Sequence, residues 1–133
     1  AVMVAFNGAA MNYSENQAIS DTINNARQFL YKIIQQLRTA KSVESVSDTR
    51  CSFTDDYDNS LTYSYDTDSS SIKLTKDSTE YLVCENVSDI KFTKTVSDQD
   101  PNVVKSIRID MEVTQNGSAR KLSSGTSIRK NLE

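Results

Sequence analysis

The chain contains no histidine and no tryptophan, and its 133 residues include one proline, three glycines and two cysteines. Without an imidazole there is no Ser-His-Asp or Cys-His nucleophile, no HExxH metal site and no histidine proton shuttle. Neither GxGxxG nor GxxxxGK[ST] occurs, which removes the glycine-rich cradles for dinucleotides and nucleoside triphosphates. The two cysteines lack CxxC spacing, and no histidine could complete a zinc site around them. Any enzyme built from this set would rely on carboxylates, Lys, Tyr, Ser or Cys, and the carboxylates fall in turns or on outward strand positions such as Asp110 and Glu112. The reading is therefore non-enzymatic, with no catalytic residue, no cofactor and no metal.

Low glycine and proline with a charged fraction of 25% exclude a collagen-like or low-complexity chain, while a mean hydropathy of -0.53 implies a modest core. No segment approaches the roughly 20 apolar residues that span a bilayer. The formal net charge is -3, so no global basic field draws in a polyanion, and no nucleic-acid partner is expected. Within residues 1–41 four basic side chains face two acidic ones, giving +2 and leaving -5 for the rest. A mildly basic first segment thus precedes an acidic body.

Ile19, Ile23, Ala26, Leu30, Ile33, Leu37 and Ala40 step by four and three, which keeps one apolar stripe on one helical face. Phe29 and Ile34 widen it, and Asn24, Asn25, Gln28, Lys32, Gln35, Gln36 and Arg38 lie largely opposite. A helix from near Ser14 to Lys41 would extend roughly 40 Å at 1.5 Å per residue. Its second half is expected to pack on a core through Ile19, Ile23, Ala26, Leu30, Ile33 and Leu37, and its first half to project as a stalk.

After Lys41 the period becomes two. Leu61, Tyr63 and Tyr65 alternate with polar residues, as do Ile72 and Leu74, Ile90 and Phe92, and Ile107, Ile109, Met111 and Val113. Asp, Asn, Ser and Gly clusters separate these runs, as at 55–60, 66–71, 76–79 and 115–118. Such short links favour antiparallel hairpins, so six to eight strands in a meander are expected.

The run Ala26-Arg27-Gln28-Phe29-Leu30-Tyr31-Lys32-Ile33-Ile34-Gln35-Gln36-Leu37-Arg38-Thr39-Ala40 resembles the helix end of type IV pilin-like minor subunits, a family that includes the pseudopilins of type II secretion. Leu61 to Asp66 followed by Ile72 to Thr75 is similar to their first hairpin, Tyr81 to Phe92 to the strand after it, and Thr126 to Asn131 to their closing strand. The resemblance implies an α+β fold, with a long N-terminal α-helix packed on an antiparallel β-sheet head. Its divisions would be 1–41 as the tail of a truncated anchor and assembly helix, 42–131 as the head, and 132–133 as a cloning remnant. It implies a structural subunit whose missing helix segment anchored it in the inner membrane before extracytoplasmic assembly into a periplasmic or cell-surface filament. Its partners would be other pilin or pseudopilin subunits. Val2, Val4 and Phe6, in the apolar start, would make the filament contacts. The alternative from another class is an extracellular adhesin or ligand-binding module on a helical stalk, including a trimeric coiled-coil version.

In an oxidising compartment Cys51 and Cys84 could pair, closing a loop of about 33 residues worth roughly 3 to 4 kcal/mol on the chain-entropy estimate. Two buried free thiols are the other reading. Asp55, Asp56 and Asp58, or Asp66 and Asp68, offer oxygen ligands for calcium, yet neither cluster has the EF-hand glycine and terminal glutamate, and the same residues satisfy tight turns. Six tyrosines, with Tyr63 and Tyr65 on one strand face and Tyr57 in the loop before it, suggest either a stacking platform or core, and core is the more economical.

Overall fold

The computed structural model describes the backbone of residues 2–129 and the side chains of residues 18–129. Helix α1 (Val2–Arg38) leads into eight strands: β1 (Ser42–Val46), β2 (Arg50–Thr54), β3 (Ser60–Asp66), β4 (Ser71–Lys76), β5 (Thr79–Cys84), β6 (Val87–Val96), β7 (Val104–Gln115) and β8 (Ser118–Ser127). They form two antiparallel sheets, one ordered β1-β2-β3-β4-β5 and the other β6-β7-β8.

The expected fold, one long helix laid on one antiparallel sheet head, needs correction. The described chain is mostly strand, in two sheets, and the helical part with described side chains is short, about 20 residues. The physical reason lies at Glu85-Asn86. This link is only two residues long, as in a hairpin, yet β5 does not pair with β6. Instead the Val87 N–H donates to the Ser70 carbonyl at 2.8 Å, and the Thr114 N–H donates to the Asn86 carbonyl at 2.9 Å. The chain thus leaves one sheet and starts another within two residues.

The genuine hairpin turns show their chemistry openly. Asp77-Ser78 and Asn116-Gly117 each link two strands with both central residues at positive φ, the type I′ geometry whose twist matches that of paired strands. Alternation then sorts each strand. In β7, Ile107, Ile109, Met111 and Val113 are buried between partly or fully exposed Arg108, Asp110 and Glu112.

The two sheets and α1 share one core. It joins Ala26, Leu30, Ile33 and Leu37 of the helix to Phe53, Leu61, Tyr63 and Ile72 of the first sheet and Val87, Phe92, Ile107 and Ile109 of the second. α1 lies mainly against β7 and β8. The sheets meet where the turn between β1 and β2 reaches β6, the Phe92 N–H donating to the Asp48 carbonyl at 3.0 Å.

Candidate functional site

The stripe residues of α1 sit as follows: Ile19, Ala26, Leu30, Ile33 and Leu37 are buried, and Ile23 is half-buried against the core. Phe29, Ile34 and Ala40 are buried with them. Thr22 is also buried, its hydroxyl donating to the Ala18 carbonyl one turn back at 3.1 Å, which satisfies a polar group facing the core. The side chains of Val2, Val4 and Phe6 lie outside the described residues.

Tyr63 ties the helix to the first sheet. Only 1% exposed, its ring meets Phe29 edge-on at 5.7 Å between centroids and stacks on Phe53 at 6.1 Å. Its hydroxyl donates to the Gln36 side-chain oxygen at 2.5 Å. Burial, with the nearby Cys51 adding to it, pushes the phenol well above its ordinary value. Gln36 went unnoticed in the sequence because it falls on the polar side of the stripe, and nothing local marks its partner 27 residues away. Tyr65 is half-buried and donates to the Val87 carbonyl at 2.7 Å, whereas Tyr57 stands exposed in its loop. The three rings form no stacking platform.

Between α1 and the end of β5 lies a cleft of about 370 Å3, floored by Phe29, Tyr63 and Cys84 and rimmed by Asn25, Lys32 and Glu85. Burial pushes the Cys84 thiol up to about 11, so it stays protonated near neutral pH and is a poor nucleophile.

Cys51 and Cys84 are free thiols. Cys51 on β2 is opposite Tyr63 on β3, Tyr63 is opposite Leu74 on β4, and Leu74 is opposite Tyr81 on β5, three residues before Cys84. Three strand spacings place the two cysteines about 14 Å apart across the sheet. A disulfide needs Cα atoms within about 7 Å, so of the two readings it is the second, two separate buried thiols, that this arrangement carries. Burial also raises Cys51, to about 12.

The acidic loops serve the fold. Asp55 is 8% exposed, and its Oδ1 accepts the N–H groups of Tyr57 at 2.9 Å and Asn59 at 2.8 Å, while the Asn59 side-chain amide donates to Oδ2 at 3.3 Å. Burial alone would raise this carboxyl, but the donors from Asn59 and Tyr57 outweigh it and hold it below the usual range. Asp58 accepts a Lys41 ammonium at 2.7 Å, and Asp66 accepts Lys73 at 3.0 Å and the Asp68 N–H at 3.0 Å. Asp58 and Asp66 are thus each paired with a lysine ammonium. Among the described residues no group of three potential ligands converges on one point, and no helix is long and apolar enough to cross a membrane.

The sequence also gave no warning that Tyr81 and Leu82 would be exposed, 49% and 55%, on β5. The resemblance takes Tyr81 to Phe92 as one strand entry, whereas β5 spans Thr79–Cys84 at the edge of the first sheet and β6 begins at Val87 in the second. No protein-family model matches this chain, and neither the curated proteins nor the solved structures contain a match to it.

Proposed function

We propose that the chain is a non-enzymatic structural subunit of a type IV pilus-like or type II secretion pseudopilus filament, joined to its neighbours through α1. The observation that carries this reading is how the helix meets the β body. Ala26, Leu30, Ile33 and Leu37 fix its C-terminal part in the shared core, while the helical backbone continues back to Val2 without a break. A filament with a helical centre needs that division, a rod that contacts other rods and a polar body fixed to one end. The resemblance of residues 26–40, 61–66 with 72–75, 81–92 and 126–131 to pilin-like subunits supports the same assignment. Its setting would be extracytoplasmic, with other subunits and, before assembly, the inner membrane as partners.

The test is covalent capture in the source envelope. A Phe6→Cys substitution in the full gene product, treated with a short bis-maleimide, should give a covalent dimer, the largest product that one reactive thiol per subunit allows, in the filament or membrane fraction. The two native thiols, being buried, should contribute none. A Phe6→Cys product that stays monomeric in a soluble fraction would refute assembly through α1.

A further inference from the structure

The two sheets have four edges, and the fold treats them unequally. The edge of β6 is covered by the turn between β1 and β2 and by the Ser70 carbonyl. The edge strand β1 is short and broken by an irregular register at Glu44, a device that discourages pairing. β5 and β8 are left open, with no described strand on their outer sides.

β5 lacks the usual protection. It holds no proline, lysine or arginine, four of its six residues are exposed, and Tyr81 and Leu82 are two of the four exposed large hydrophobics among the described residues. Its charge is acidic: Glu80 lies within it, and Asp77 and Glu85 flank it. Glu80 is held only loosely, 3.8 Å from Lys73. β8 is the opposite. It contains Arg120 and Lys121 and no acid, with Arg129 two residues beyond its end. The Arg120 guanidinium donates to its neighbour Ala119's carbonyl at 2.9 Å, and neither Arg120 nor Lys121 has a carboxylate within ion-pair reach among the described residues.

We propose that the open edge of β5 takes the open edge of β8 from a second copy of this chain, so that copies join head to tail by strand addition. Pairing β5 with β5 brings acid to acid, and pairing β8 with β8 brings base to base; the mixed pairing alone brings Glu80 toward Arg120 and Lys121. Backbone hydrogen bonds supply the attraction, and Tyr81 and Leu82 are covered by the incoming strand. Because each copy carries one edge of each sort, the contact is heterologous and can repeat along a line. This goes beyond assembly through α1 and does not depend on it.

The experiment is sedimentation velocity of the 133-residue chain over a concentration series at low salt. The mean mass should rise above 14.8 kDa with concentration. Raising salt from about 0.02 to about 0.5 M shortens the screening length from about 20 to about 4 Å, and should weaken association several-fold. Glu80→Lys alone and Lys121→Glu alone should each stay monomeric over the range where the parent associates. Their 1:1 mixture restores both complementary edges and should associate again. The salt series requires no variant, so it decides the matter even if Glu80→Lys, placed beside Lys73, impairs folding. A mass fixed at the monomer value, association indifferent to salt, or folded variants that associate as the parent does would each overturn the proposal. So would a folded mixture that stays monomeric.

Discussion

Removing the Tyr63 hydroxyl tests the helix seat more sharply than deleting a core side chain, because it isolates one polar tie between α1 and the first sheet. In Tyr63→Phe the ring keeps its contacts with Phe29 and Phe53, and only the 2.5 Å bond to Gln36 is lost. Gln36 is half-buried, so water can replace the hydroxyl at its oxygen, and the cost should be about 0.5–1.5 kcal/mol. Gln36→Ala leaves a buried phenol without its acceptor and should cost about 1–3 kcal/mol. If the two groups meet as described, the double variant should lose less than the sum of the singles, with a coupling of at least about 0.5 kcal/mol. Urea unfolding reads each value; at a slope of about 1–3 kcal/mol per molar, 1 kcal/mol moves the midpoint by about 0.3–1 M. Tyr63→Ala, which also empties the space between Phe29 and Phe53, should cost about 3–5 kcal/mol. Additive single losses, or Tyr63→Phe without effect, would mean that α1 does not sit against β3 in this register.

Native protein should show no thiol reactive to a bulky disulfide reagent at neutral pH, and denatured protein should show two without any reductant; a denatured count of zero would restore the bridge. Because burial raises both thiols, their neutral form belongs to the folded state, so their contribution is intact below the ordinary value near 9 and fades as pH rises toward 11 to 12. Asp55 works at the other end of the scale: its lowered carboxyl contributes above the ordinary value near 3.9 and loses that contribution as pH falls through its folded value. Asp55→Ala, which strips the partner from the Tyr57 and Asn59 N–H groups, should cost about 1–3 kcal/mol at neutral pH and flatten the acid limb of a stability profile; an unchanged acid limb would move that limb to Asp66 or Asp110.

What could be read from the sequence was periodicity. The 3.6 step from Ile19 to Leu37 and the twofold step through Ile107 to Val113 each report which side of a local element is apolar, and local patterns need no knowledge of neighbours. Asn116-Gly117 was legible as a turn because its own backbone demands it. The division into two sheets was not, because it depends on where strands go after they form. Glu85-Asn86 has the length and composition of a hairpin, and only the bonds from Val87 to Ser70 and from Thr114 to Asn86 show that the chain turns out of the sheet. The same limit hid the separation of Cys51 from Cys84, since β3 and β4 stand between them only because of strand order. The role of Gln36 was invisible for a related reason: it is set by one distant partner rather than by a repeating pattern.

The two proposed assembly contacts differ in kind, and the difference decides what each could do. A six-residue strand pair between separate copies is a small interface, far below the roughly 1,200 Å2 that stable complexes bury, so on its own it forms only at high concentration. If copies were also held together by their helices, as proposed, they would meet at an effective concentration in the millimolar range, where a contact of that strength would be largely occupied. In that setting the edges of β5 and β8, which alone would drive only concentrated copies together, would choose the orientation of one β body against the next. A contact that must be reversible while subunits join needs to be weak, and Glu80 opposite Arg120 and Lys121, at the surface and open to salt, supplies selectivity without locking the array. Strengthening the edge should therefore be harmful to ordered growth: Glu80→Val would add β-propensity to an already apolar strand, remove the charge that distinguishes β8 from β5, and turn directed addition into indiscriminate edge pairing.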